Sequence, residues 1–316
     1  MRELQAAVAE WERALGPDHP RTIEGRITLA EAYRSTPEYA DAEQTPWEEA
    51  AAAELAKAVE SRTRTLGPES PETLEVREEL ALVRWGAEGS PRLIAELEAI
   101  AAARERILGR ADPSTLETLS RLEFWASGAR RAELRERILH GWREVVASRP
   151  TVHARMRLGA VSHSYGREEE SRAQYELAAA SCERIVAART RELGAVHPDT
   201  VAARERHARC VRRLDGPAEA ARLTWELAAD QERLLGADHP DTLRTLVGLA
   251  SDSPPDESLL ARAYAVLGPD DRDVAFLRGH LIVAYAVAGR DEEALALVPR
   301  YPVAADDDVL DEAELP

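Results

Sequence analysis

The sequence predicts an all-α protein, a solenoid of about seven helical hairpins, and three observations carry that expectation. First, a nine-residue string recurs: "LGPDHPRTI" from Leu15, "LGPESPETL" from Leu66, "LGRADPSTL" from Leu108, "LGAVHPDTV" from Leu193, "LGADHPDTL" from Leu235 and "LGPDDRDVA" from Leu267. Second, the segments after the strings align on Leu29, Leu80, Leu122, Leu158, His207, Leu249 and Leu281, with spacings of 51, 42, 36, 49, 42 and 32 that average 42. A period of that length, with a helix break twice per period, marks stacked helix pairs that bury their apolar faces on one another. Third, Ala, Leu, Glu and Arg dominate and no run of alternating β-branched residues occurs, which overrides the usual expectation of some sheet.

Each recurring string reads as a helix stop followed by a helix start. Glycine after the last leucine supplies a left-handed C-terminal residue, and proline costs nothing at the first position of a helix, where its missing N–H has no intrahelical use. The residue before the proline is then the N-cap: His19, Ser70, Asp112, His197, His239 and, in the last copy, Asp271 or its neighbour Asp270. Asp238, His239 and Asp241 keep the company of a catalytic or metal-binding histidine. A catalytic motif is rarely needed six times in one chain, whereas a cap is, so the histidines read as punctuation.

In chain order, residues 1–19 are expected to be an orphan N-terminal helix, 20–299 the solenoid, and 300–316 an acidic, disordered tail. The stretch "STPEYADAEQTPW", residues 35–47, reads as a loop that explains the spacing of 51. "SDSPPDES", residues 251–258, leaves a short second helix in the 32-residue copy. The best-kept copy is "LIVAYAVAGRDEEALAL", Leu281 to Leu297, with Tyr285 one turn after the leucine, Gly289-Arg290 at the hairpin and Ala294 in the second helix.

These residues resemble tetratricopeptide repeats, in particular the long variant of about 42 residues found in kinesin light chains and bacterial regulators. The resemblance covers residues 1 to about 299 and implies a right-handed superhelix whose first helices line a concave groove. It also implies a non-catalytic scaffold or regulatory module that binds a protein or peptide in that groove. Kinesin-light-chain repeats carry an asparagine pair before the aligned leucine to hold a peptide backbone, but this chain contains no asparagine and places pairs such as Glu78-Glu79 and Met156-Arg157 there. A partner read through side-chain charge, or a folded surface, is therefore expected.

Composition narrows the partner. The net charge of −17 repels a phosphate backbone, so the expected partner is a protein or peptide with a basic segment, and nucleic acid is not expected. Two cysteines make no disulfide framework, and no basic, apolar signal sequence or apolar run of ~18 residues occurs, so a cytoplasmic protein without membrane contact is expected, with homo-oligomers open. One lysine beside forty arginines points to a GC-rich bacterial genome.

Counted from each aligned leucine, offsets −6, 0, +1 and +4 share one helix face and −5, −2, +2 and +5 a second. The first is the expected core, the second the expected groove. The groove face holds Glu24, Glu31, Glu75, Glu78, Trp85, Glu117 and Phe124 in the first three repeats, then His153, Met156 and His163, then Arg209 and Arg212 with Arg213 beside them, then Phe276, Val283 and Ala286. The order is acidic and aromatic, His/Met, basic, apolar. Arginines at offset −3, namely Arg26, Arg77, Arg155, Arg204 and Arg278, point to the core side and are expected to pair with carboxylates or helix-end carbonyls.

No cofactor, metal or catalytic residue is expected. His153 and His163 are ten residues apart, about 15 Å along a helix, too far to share an ion. Cys182, His207 and Cys210 come to similar height on antiparallel helices, and they support the alternative of an enzyme or a small-molecule or metal-binding protein with a central His/Met/Cys site. The plainer reading is a hydrogen-bonded core histidine beside two small apolar thiols.

Overall fold

The computed structural model describes residues 2–34, 46–85, 91–250 and 256–302, among which there are fifteen helices and no strand. The all-α class is as expected. Contacts divide the chain into two compact units, residues 1–150 with 164–166, and residues 151–163 with 167–316. Within each, consecutive helices pack on one another in chain order, the arrangement of a repeat solenoid.

The first unit holds α1 (Arg2–Leu15), α2 (Pro20–Arg34), α3 (Pro46–Leu66), α4 (Pro71–Trp85), α5 (Pro91–Leu108), α6 (Pro113–Trp125) and α7 (Gly128–Ser148). Val8, Ile23, Leu29, Tyr33, Leu55 and Val76 form its first core cluster. Further along, Leu74 meets Ile100, and Leu116, Ile138 and Trp142 are fully buried. The second unit holds α8 (Val152–Ser164), α9 (Glu168–Leu193), α10 (Pro198–Leu214), α11 (Pro217–Leu235), α12 (Pro240–Leu249), α13 (Glu257–Leu267), α14 (Arg272–Val287) and α15 (Asp291–Arg300). One of its clusters joins Tyr175, Ala178, Cys182 and Cys210; another joins Leu243, Leu260, Leu277, Leu281, Tyr285 and Leu297.

The recurring string does what its residues dictate. Gly236 ends α11 at φ 104°, a left-handed conformation that a side chain strains, and its N–H bonds back to the Glu232 carbonyl. His239 then caps α12, its Nδ1 accepting from the Asp241 N–H at 3.2 Å, and His19 and His197 accept at 3.2 Å from the N–H groups of Arg21 and Asp199. Asp112, Ser70 and Asp271 do the same with side-chain oxygens. The last cap is thus Asp271, not Asp270.

The offset −3 arginines tie each first helix to the second helix of its own hairpin. Arg26 meets Glu54 at 2.8 Å and also Glu12; Arg77 meets Glu96 at 2.7 Å; Arg204 meets Asp230 at 2.8 Å. Arg155 donates to the Gln174 side chain at 3.3 Å, and Arg278 to the Tyr301 carbonyl at the end of α15 at 2.8 Å. The expected pairing with a carboxylate or a helix-end carbonyl holds at four of the five positions; Arg155 has a side-chain amide as its acceptor instead.

Two boundaries differ from expectation. Pro46 and Trp47 belong to α3 rather than to a loop through 47, because Pro46 opens the helix and the Trp47 ring stacks on Tyr33 at 5.6 Å. Residues 35–45, the rest of that stretch, lie outside the described residues. At the other end α15 runs to Arg300 and Tyr301 is buried, while 303–316, the remainder of the expected tail, lie outside the described residues. Residues 251–255 do too; Asp256 caps the short α13 by accepting from the Ser258 N–H.

Candidate binding site: an arginine-lined trough

The second unit brings α8, α9 and α10 around one cavity, and local sequence explains how. On α10, Arg206, Arg209 and Arg213 recur at i, i+3 and i+7 and so share one face. α8 faces them with His153, Met156, Arg157 and Ala160. Gly159 on α8 admits the Tyr175 ring of α9: a Cβ there would lie 2.8 Å from a ring carbon, so only glycine permits this approach. The result is a cavity of about 680 Å³ lined by these residues with Tyr175 and Arg212. A neighbouring hollow of about 460 Å³ shares Tyr175, Arg212 and Arg213 and adds His163, Glu168, Glu169, Ser171, Arg172 and Leu214.

Charge distinguishes the larger cavity. Its lining has five arginines, a histidine and no carboxylate, in a chain of net charge −17. Elsewhere guanidinium groups are mostly neutralised, as Arg104 is by Glu78 and Arg204 by Asp230. Arg206, Arg209 and Arg213 are exposed and form no ion pair with a carboxylate among the described residues. The floor is apolar and well packed: Met156 leans on the cluster of Tyr175, Ala178, Cys182 and Cys210. Burial raises the Tyr175 hydroxyl pKa, so the phenol stays neutral, a hydrogen-bonding group and not an anion.

Beneath the trough, Cys182 and Cys210 are free and buried. Their mutual hydrogen bond holds Cys182 below the ordinary thiol value, helped by the charges of Arg206 and Arg209, and it holds Cys210 above, as does burial. His207 points its Nε2 to Glu183 at 3.4 Å. Cysteine and histidine thus have different partners, and no group of three metal-capable side chains occurs among the described residues.

The structure gathers His153, Met156, His163, Arg209, Arg212 and Arg213, from the expected groove face, into the two adjoining hollows. In the first unit the outcome is mixed. Glu31 and Glu75 are exposed and sit close enough to Glu79 to raise its pKa, second to the effect of its own burial. Glu24 is exposed but paired with Arg62 at 2.5 Å, Glu117 is half-buried, and Phe124 is 67% exposed with its edge to Trp125. Trp85 closes α4, and its side chain lies outside the described residues.

Glu78 corrects the expected groove face. It is buried, with Arg104 at 2.6 Å and Arg121 at 3.0 Å, so it serves as an internal counter-ion rather than a groove residue. Three of the residues missed, Glu79, Arg157 and Arg206, stand at offset −1 from the aligned position, while Ala160 at offset +2 and Tyr175 on α9 were missed as well. Offsets −5, −2, −1 and +2 line the trough on α8, as His153, Met156, Arg157 and Ala160. The signal available was the i, i+3, i+7 run of arginines on α10.

The elements and the site define a helical-hairpin repeat protein with a polar, cationic trough. No family model and no curated protein matches the chain. Among solved structures it is similar to a kinesin light chain of Podosopora anserina with nearly identical TPR-like repeats, at 21% identity over 68% of this chain and 97% of that one, with a TM-score of 0.40. A second structure of that kind has 19% identity over 90% of this chain and 94% of the other, with a TM-score of 0.29.

Proposed function

We propose that the chain is a non-catalytic binding scaffold that takes an anionic segment of a protein partner in the trough of α8, α9 and α10. One observation carries this reading: Arg206, Arg209 and Arg213 line a cavity that holds no carboxylate, inside a strongly acidic protein. Cations left without counter-ions in a concave site are stored electrostatic complementarity, which a partner's acidic groups relieve. A basic stretch of a partner fits the acidic patch of Glu31, Glu75 and Glu79 in the first unit, where burial and, second to it, the neighbouring carboxylates raise the Glu79 pKa. No helix among the described residues is long and apolar enough to cross a membrane.

The test is a titration of a labelled oligoglutamate peptide, which the net charge would otherwise repel. Binding is expected at low salt and is expected to fade as salt shortens the screening length towards ~8 Å. Arg209→Glu combined with Arg213→Glu should weaken it at least tenfold with unchanged melting, because both side chains are exposed. Binding that survives this reversal would place the anion site elsewhere and sink the proposal.

A further inference from the structure

We infer that the anionic group seated in the trough is a phosphate monoester carried on a peptide, rather than a lone carboxylate. The inference rests on the reading of the trough as a partner-binding site. Charge stoichiometry is the first argument. Three guanidinium groups without a carboxylate partner among the described residues, those of Arg206, Arg209 and Arg213, line one cavity, and their mutual repulsion is relieved in proportion to the negative charge brought in. A carboxylate brings one charge and two oxygens. A phosphate monoester brings about −1.5 to −2 and three acceptor oxygens near neutral pH.

Geometry is the second argument. Arg206, Arg209 and Arg213 span about 10 Å along α10, with Arg157 opposite on α8, so donors approach from two helices. A tetrahedral, three-oxygen acceptor can engage more guanidinium forks, and from more directions, than a planar two-oxygen carboxylate. The third argument is room. At about 680 Å³ the cavity is far larger than a phosphate group, and its floor of Met156, Ala160 and Tyr175 offers apolar contact to the residue that bears it. A free inorganic anion would leave that surface unused.

The test uses the full chain and three probes: a neutral peptide bearing one phosphoserine, the same peptide with glutamate in its place, and inorganic phosphate as competitor. The phosphopeptide should bind at least tenfold tighter than the glutamate peptide, and inorganic phosphate should displace it only at much higher concentration. Arg206→Gln with Arg213→Gln should remove that preference without shifting the melting temperature, since both side chains are exposed. Equal binding of the two peptides would overturn the inference and leave the scaffold reading standing. Inorganic phosphate binding as tightly as the phosphopeptide would overturn the peptide source. If neither peptide binds and oligoglutamate also fails, both readings fall together.

Discussion

His239 shows how a single side chain can look like a site and be a joint. Its imidazole offers Nδ1 to the Asp241 N–H, the task that Asp112 and Asp271 perform with a carboxylate oxygen and Ser70 with a hydroxyl. The ring must present an unprotonated Nδ1 there, so the proton sits on Nε2. What the position requires is an acceptor, not a histidine. His239→Ser should therefore change stability by less than about 0.5 kcal/mol, whereas His239→Ala, which leaves the first-turn N–H without its acceptor, should cost ~0.5–2 kcal/mol. Denaturant unfolding followed by circular dichroism compares the two. An alanine variant as stable as the serine variant would remove the capping argument. Glu78 makes the complementary point: a residue placed on the binding face by spacing is claimed by Arg104 and Arg121 inside the protein. Breaking such a buried pair leaves a charge uncompensated, which is why it does not double as a ligand contact.

At the scale of helices, the offset −3 arginines act as rungs, and their carboxylate partners link hairpin geometry to pH. Asp230 receives hydrogen bonds from Arg233 and from Arg204, which together hold its pKa below the usual carboxylate value. A depressed folded pKa stabilises the fold fully above the unfolded value of ~3.9, and the contribution is lost as pH falls through the folded value. Asp230→Asn should thus cost roughly 0.5–1 kcal/mol at neutral pH, below the ~1.5–3 kcal/mol of a hydrogen bond to a charged group because solvent screens the site. The difference from wild type should stay constant between pH 7 and pH 5 and close below about pH 4. A difference that persists undiminished in acid would mean the rung works by packing and not by charge. These rungs, like the turns, were legible in the sequence because each depends on its own repeat: Arg204 and Asp230 belong to one hairpin. The inner face was legible only to within one residue. At 100° per residue, offsets −2 and −1 straddle its edge, and which of them turns inward depends on partners in other helices. Glu78 goes inside because Arg104 and Arg121 await it, a condition that is not written in its own helix.

For the whole molecule, the consequence of stacking in chain order is that stability is local. Helices pack mainly on their sequence neighbours within each unit, so the free energy of opening approximates a sum over hairpins and their interfaces. The all-α class and the hairpin order followed from periodicity, but the division into two units did not, because it reflects where packing is sparse and not where helices break. Leu281 tests the idea. It is fully buried in the cluster that joins α12, α13, α14 and α15, far in sequence from the cluster of α1 to α4. Leu281→Ala removes that packing and should cost ~2–5 kcal/mol, a typical cost for a large-to-small change in a core. In a single cooperative domain such a loss would speed amide exchange everywhere. In a stack of nearest-neighbour hairpins it should speed exchange in α12 to α15 by a factor of ten or more and leave α2 to α5 within twofold of wild type. Hydrogen exchange read by mass spectrometry resolves the helices separately. Acceleration spread evenly over α2 to α15 would show one cooperative unit and refute local stability; confinement to the last hairpins would also mean that a ligand in the trough of α8 to α10 can stabilise its own hairpins without ordering the rest of the chain.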